Sequence, residues 1–146
     1  RIREWCFGSL DGGYDGELFD GVLPRTDAYK GKSAEELTYE DIAKGLLEVD
    51  TAGWAEPWEV LSKRILDGFF DAAKKAEANG AENIVIVSHG MTIATFIKLL
   101  DSRRPKFQGL DNGSVTHLTY SDGNFSIGEI GDMSYRELGR QILNAE

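Results

Sequence analysis

The chain has 146 residues, 41% hydrophobic and 28% charged, an ordinary globular profile long enough for one domain with its own core. Its net charge of −9 excludes a general nucleic-acid binder, which would carry a basic face. No apolar run reaches the length of a membrane span and no signal peptide opens the chain.

The lone Cys6 has no internal partner for a disulfide, which fits a reducing, cytoplasmic compartment. Two histidines and one cysteine are too few for a transition-metal centre, so no metal is expected. The clustered cations are Lys30 with Lys32, Lys74 with Lys75, and Arg103 with Arg104 and Lys106, which read as solvated surface charge.

In chain order, residues 1–5 read as the end of a strand and Gly8-Ser9-Leu10-Asp11-Gly12-Gly13 as a loop. Little periodicity follows from Tyr14 to Tyr39. Thr38 and Asp41 then stand at capping-box spacing before Ile42, Leu46 and Leu47, which predicts a short helix. Pro57 suits the first turn of a longer one, where its missing N–H costs nothing. Leu61, Ile65, Leu66, Phe69, Phe70 and Ala73 form one apolar face of that helix, and Asn79-Gly80 ends it.

Ile84-Val85-Ile86-Val87 is a β-branched run without alternation, the pattern of a strand buried on both faces of a parallel sheet. It stops at Ser88-His89-Gly90, and helical periodicity resumes from Met91 to Leu100. Strands are predicted over Ser114–Tyr120 and Phe125–Ile130, joined across Asp122-Gly123, a strong hairpin signal. Ser134 and Glu137 predict a capping box opening a last helix to about Leu143. The fold class expected is therefore α/β: a mostly parallel sheet flanked by helices, with an antiparallel hairpin at its edge.

The chemistry centres on Val87-Ser88-His89-Gly90. Ligands of open α/β sheets bind beyond the carboxyl ends of the strands, beside helix N-termini whose unpaired N–H groups favour oxyanions. His89 stands at such a place, where an imidazole can donate to a phosphoryl oxygen. Gly90 lets the backbone turn sharply and approach a ligand. A core or capping histidine is the plainer alternative. Ser88 is no hydrolase nucleophile, because Ile86 stands where the nucleophile elbow needs its first glycine.

Ile84-Val85-Ile86-Val87-Ser88-His89-Gly90, running into an apolar helix, resembles the second signature of the histidine phosphatase superfamily, in its phosphoglycerate-mutase-like branch. Ile2-Arg3-Glu4-Trp5-Cys6-Phe7-Gly8, followed by Leu10-Asp11-Gly12, resembles that family's glutamate segment. Asn112-Gly113-Ser114-Val115-Thr116 resembles its asparagine- and threonine-containing stretch, and the three matches keep the family's order over nearly the whole chain.

The resemblance implies phosphoryl transfer from a small phosphate ester through a phosphohistidine, with no metal or organic cofactor. Glu4 would protonate the leaving oxygen and later deprotonate the incoming water. His89 would stabilise charge on the moving phosphoryl group, with Gly90 and Asn112 as further phosphate contacts. Phosphate esters or inorganic phosphate are the expected partners, with no nucleic acid and no membrane.

The family's arginine-histidine-glycine motif is absent from these residues, as is its second catalytic arginine. The chain thus reads as one domain over 1–146 that is N-terminally incomplete, inactive alone, with the nucleophile elsewhere. At the family's glycine-glutamate-serine position it carries Ala55-Glu56-Pro57, which gives Glu56 no assured role. Residues 9–56 read as a substrate-selecting lid, with Trp54, Trp58, Tyr29 and Lys30 as candidate lining and packing inside the lid as the commoner role for its aromatic residues. The resemblance places Ile84–Val87 at the centre of a sheet whose neighbouring strands are absent, so either an upstream segment or self-association is expected to fill the gap. The competing reading is a non-catalytic phospho-ligand binding or interaction module of the same fold.

Overall fold

The computed structural model describes residues 1–104 and 109–145. Lys106, the last member of the third cation group, lies outside them. Helix α1 spans Tyr39–Val49 and opens on the expected capping box: Thr38 accepts from the Asp41 N–H while the Asp41 carboxylate accepts from the Thr38 N–H. Lys32 pairs with Asp41 at 2.6 Å. Burial works against this carboxylate's charge, but the bonds from Lys32 and Thr38 outweigh it and hold Asp41 below the usual carboxylate range.

Helix α2, Trp58–Ala78, is preceded by Pro57 as its cap and buries Leu61, Ile65, Gly68, Phe69 and Ala73. It stops at Asn79-Gly80, where Gly80 takes a left-handed φ of 70° and the Ala81 N–H returns to the Ala76 carbonyl. Helix α3, Gly90–Leu100, packs on α2 through Phe96, whose ring stacks on Phe69 at 4.1 Å. Trp5 lies buried in the same core, its indole N–H donating to Thr95 Oγ1 at 3.1 Å and its ring meeting Tyr39 edge-on. Trp5 therefore joins α1 to α3.

Residues 9–38 contribute Leu18, Leu23 and Tyr29 to this core. A π-helical turn at Glu17–Val22 and short 3-10 turns carry them. Gly45 on α1 lets them approach, since a Cβ there would lie 3.0 Å from Leu23 Cδ2. Tyr29, a candidate lid residue, is core instead: burial, helped by Asp41, pushes its phenol up to about 12.

Strands β1 (Leu118–Ser121) and β2 (Asn124–Ile127) form the hairpin, paired antiparallel with Leu118 opposite Ile127. Asp122 and Gly123 take φ of 50° and 78°, as the two central residues of a type I′ turn require. Both strands are shorter than predicted. The next pair out is Val115 with Asp132, so the second arm carries two extra residues there and regular pairing breaks. Phe125 docks the hairpin against Phe70 and Phe96 at 5.0 and 5.2 Å.

Helix α4, Ser134–Leu143, buries none of its residues. Its expected capping box is not formed. Asp132 takes the place, accepting from both the N–H and the hydroxyl of Ser134, foremost among the causes that hold its carboxyl below the usual range.

The expected parallel sheet is not present among the described residues; the sheet there has two antiparallel strands. Ile84–Val87 makes no ladder with any of them. Nor is it buried on both faces: Ile86 packs against the core, whereas Val85 and Val87 are 92% and 87% exposed. Apolar β-branched residues favour a strand, but a ladder needs a partner, and no described segment pairs with this one. Among the described residues no helix is long and apolar enough to cross a membrane.

Candidate phosphoryl-transfer site

His89 is the N-cap of α3, with extended backbone (φ −120°, ψ 157°) and its carbonyl accepting from the Ile93 N–H at 2.9 Å. Its side chain makes no capping bond, and the residue is exposed. The imidazole is thus free of the helix it opens and faces solvent at the helix's positive end.

The first turn of α3 is already engaged by a carboxylate. Glu4 accepts from the Met91 N–H at 3.3 Å and from the Thr92 N–H at 3.0 Å, with the Thr92 hydroxyl oxygen also 3.0 Å away. It also accepts from the Trp5 N–H at 3.0 Å. Two helix N–H groups that have no intrahelical partner are satisfied from a residue 87 and 88 positions away. The expectation that these amides stand open as a phosphate cradle is therefore corrected: Glu4 occupies them. Glu4 and His89, chosen from separate sequence segments, nonetheless meet on one helix end.

Gly90 begins α3, and a Cβ there would stand 3.9 Å from the Leu110 carbonyl, so the chain ahead of Asn112 runs past this helix end. Asn112 itself is exposed, and its carbonyl accepts from Arg136 at 3.1 Å. Ser88 is no bystander: its hydroxyl donates to the Ile2 carbonyl at 2.7 Å. His117 lies on the hairpin arm, 3.9 Å from Asp132 and apart from these groups in contact terms.

Sequence reasoning missed Thr92 and Arg64 and left Glu56 without a role. Thr92, fully buried, donates its N–H to Glu4 and its hydroxyl to the Arg3 carbonyl. A threonine at the third position of a helix signals this only weakly. Glu56 forms a fork-to-fork pair with Arg64. Of the remaining lid candidates, Trp54 is 67% exposed, Lys30 is exposed, and Trp58 leans on Trp5 at 6.3 Å. Among the described residues no group of three His, Cys, Asp or Glu converges so as to hold a metal ion.

Comparison with protein families matches residues 1–133 to the histidine phosphatase superfamily, branch 1. The chain belongs to that superfamily. Among solved structures, a phosphoglycerate mutase from Bacillus anthracis str. Sterne superposes with a TM-score of 0.81 at 31% identity, over 94% of this chain and 60% of that one. The chain thus spans about 60% of the length of the solved protein it matches. Among curated protein sequences none matches it significantly.

Proposed function

We propose that these residues supply the acid–base carboxylate and one oxyanion donor of a phosphoryl-transfer site acting on small phosphate esters. The observation that carries this reading is the convergence of Glu4 and His89 on the N-terminus of α3. Membership of a phosphoryl-transfer family supports it.

In this reading a histidine outside these 146 residues attacks phosphorus as the ester P–O bond breaks, and Glu4 delivers its proton to the departing oxygen. Water then attacks the phosphohistidine, Glu4 recovers a proton from it, and the P–N bond breaks to release inorganic phosphate. His89 donates to the phosphoryl oxygens as charge moves across them, and Gly90 and Asn112 border the same anion. Residues 9–56, part of which packs into the core, would select the substrate, with Trp54 exposed among them, and hydrolysis is favoured over mutase chemistry. The second reading, a phospho-ligand binding module without turnover, draws on the absence of an arginine-histidine-glycine motif from these residues.

Leaving-group dependence in the intact protein tests the assignment. Glu4→Gln keeps the shape but not the proton, so alkyl phosphates should slow far more than aryl phosphates. His89→Ala should slow both, by about 2.7–4 kcal/mol of barrier, as for loss of one oxyanion donor. Equal damage to both ester classes by Glu4→Gln would remove Glu4 from the acid role. An intact protein with no turnover at all would favour the binding module.

A further inference from the structure

No strand ladder holds residues 1–4; side chains do. The Ile2 carbonyl accepts from Ser88 and the Arg3 carbonyl from Thr92. The Arg3 side chain donates to Glu56 Oε1 at 3.1 Å, and the remaining bonds to the segment's carbonyls come from Arg64 on α2. Its guanidinium donates through Nη1 to the carbonyls of Arg1 and Arg3, at 2.8 and 3.0 Å, and through Nη2 to that of Glu4 at 3.3 Å. Nε and Nη2 also bind the two carboxylate oxygens of Glu56, at 2.9 and 2.7 Å. A guanidinium has five N–H groups, and these five bonds use them all. The pair is nearly dry, with 12% of the Arg64 side chain and 13% of the Glu56 side chain exposed.

One turn along α2, Gly68 completes the track. A Cβ there would fall 2.7 Å from Ile2 Cγ2 and 3.0 Å from Arg1 Cβ, so only glycine lets the segment lie this close.

We propose that Arg64 is a positioning residue, aligned by Glu56, that fixes the backbone of residues 1–4 so that the Glu4 carboxylate reaches the first turn of α3 beside His89. The consequence for chemistry rests on the role assigned to Glu4 above; the placement itself does not. Three carbonyls taken by one planar, rigid group determine where the Glu4 side chain starts. A lysine has a single nitrogen and cannot reproduce that fork. The exposed pair between Arg1 and Asp71 lies on the same track but carries no such constraint.

Hydrogen exchange of individual amides in the intact protein tests this. The Met91 and Thr92 amides report the Glu4 contact, and the Ile97 amide, deep in the same helix, reports overall stability. In Arg64→Lys, exchange at Met91 and Thr92 should accelerate about tenfold relative to Ile97, the scale of one lost hydrogen bond. Glu56→Gln, the milder variant should the lysine protein not fold, should accelerate both in the same direction. Asp71→Asn should leave the ratio unchanged. Met91 and Thr92 keeping their wild-type protection relative to Ile97 in a folded Arg64→Lys or Glu56→Gln protein would overturn the proposal. A parallel titration of the His89 ring with inorganic phosphate separates the two claims. A silent ring in wild type would count against the functional reading and leave the exchange result standing.

Discussion

Glu4 carries the most consequence of any single residue, because it serves two demands at one place. Its carboxylate satisfies α3 amides that would otherwise be unpaired, and it stands beside the imidazole proposed to receive phosphate. A phosphate dianion arriving there meets a like charge and finds two of its natural donors taken. Glu4→Ala in the intact protein should therefore bind inorganic phosphate more tightly, on the order of tenfold, while losing turnover. Isothermal titration beside a steady-state assay reads both. Unchanged or weaker phosphate binding in a folded variant would show that Glu4 and phosphate do not share the site. The sequence pointed to Glu4 and His89 through motif resemblance. It could not show that they touch the same helix turn, because their contact spans more than eighty residues. Arg64 stayed hidden for a similar reason, its carbonyl partners lying 60 to 63 positions away.

At the scale of elements, features set by neighbouring residues were legible and those set by distant ones were not. The Thr38–Asp41 cap of α1, the glycine stop of α2 and the Asp122-Gly123 turn each depend on a few adjacent residues, and each stands where expected. Ser134 and Glu137 had the right spacing for a cap, but Asp132, two residues upstream, competes for the same donors.

The connection from α1 to α2 was equally unreadable. There Asp50 accepts from the N–H groups of Ala55, Ala52, Ser9 and Trp54, which hold its carboxyl well below the usual carboxylate range. Gly8 makes room for it, since any Cβ there would fall 2.2 Å from Asp50 Cγ. A depressed folded-state pKa contributes stability that is present above the unfolded value, near 3.9, and lost as pH falls below it. Urea midpoints between pH 7 and pH 3 should therefore fall less steeply in Asp50→Asn than in wild type. Parallel acid limbs would mean that the four amides do not hold the carboxylate in solution.

The whole molecule has one well-made half and one open surface. Trp5, α1, α2, α3 and Phe125 enclose a continuous apolar core. Against it, Val85 and Val87 lie almost fully exposed on a segment with no ladder. The sequence signal there was a true β-branched one. What it could not reveal is the partner, because strand pairing is non-local. With Val85 and Val87 exposed, the unpaired backbone groups here face water, and what the segment presents is an open apolar edge of the kind that pairs with another chain. Residues 1–146 expressed alone are therefore expected to self-associate through this edge rather than persist as a monomer. Analytical ultracentrifugation with circular dichroism decides it, and a cooperatively melting monomer would contradict the expectation.

The central claim is that the N-terminus of α3, with Glu4 lodged on it and His89 free beside it, is a phosphate site. The measurement closest to that claim is the His89 ring resonance of the intact protein, followed by NMR as inorganic phosphate is added at constant pH and ionic strength. With His89 as an oxyanion donor, its ring signals should move saturably at millimolar phosphate or below, while those of His117 on the hairpin stay in place. A His89 ring that ignores phosphate, or that moves only in step with His117, would contradict it.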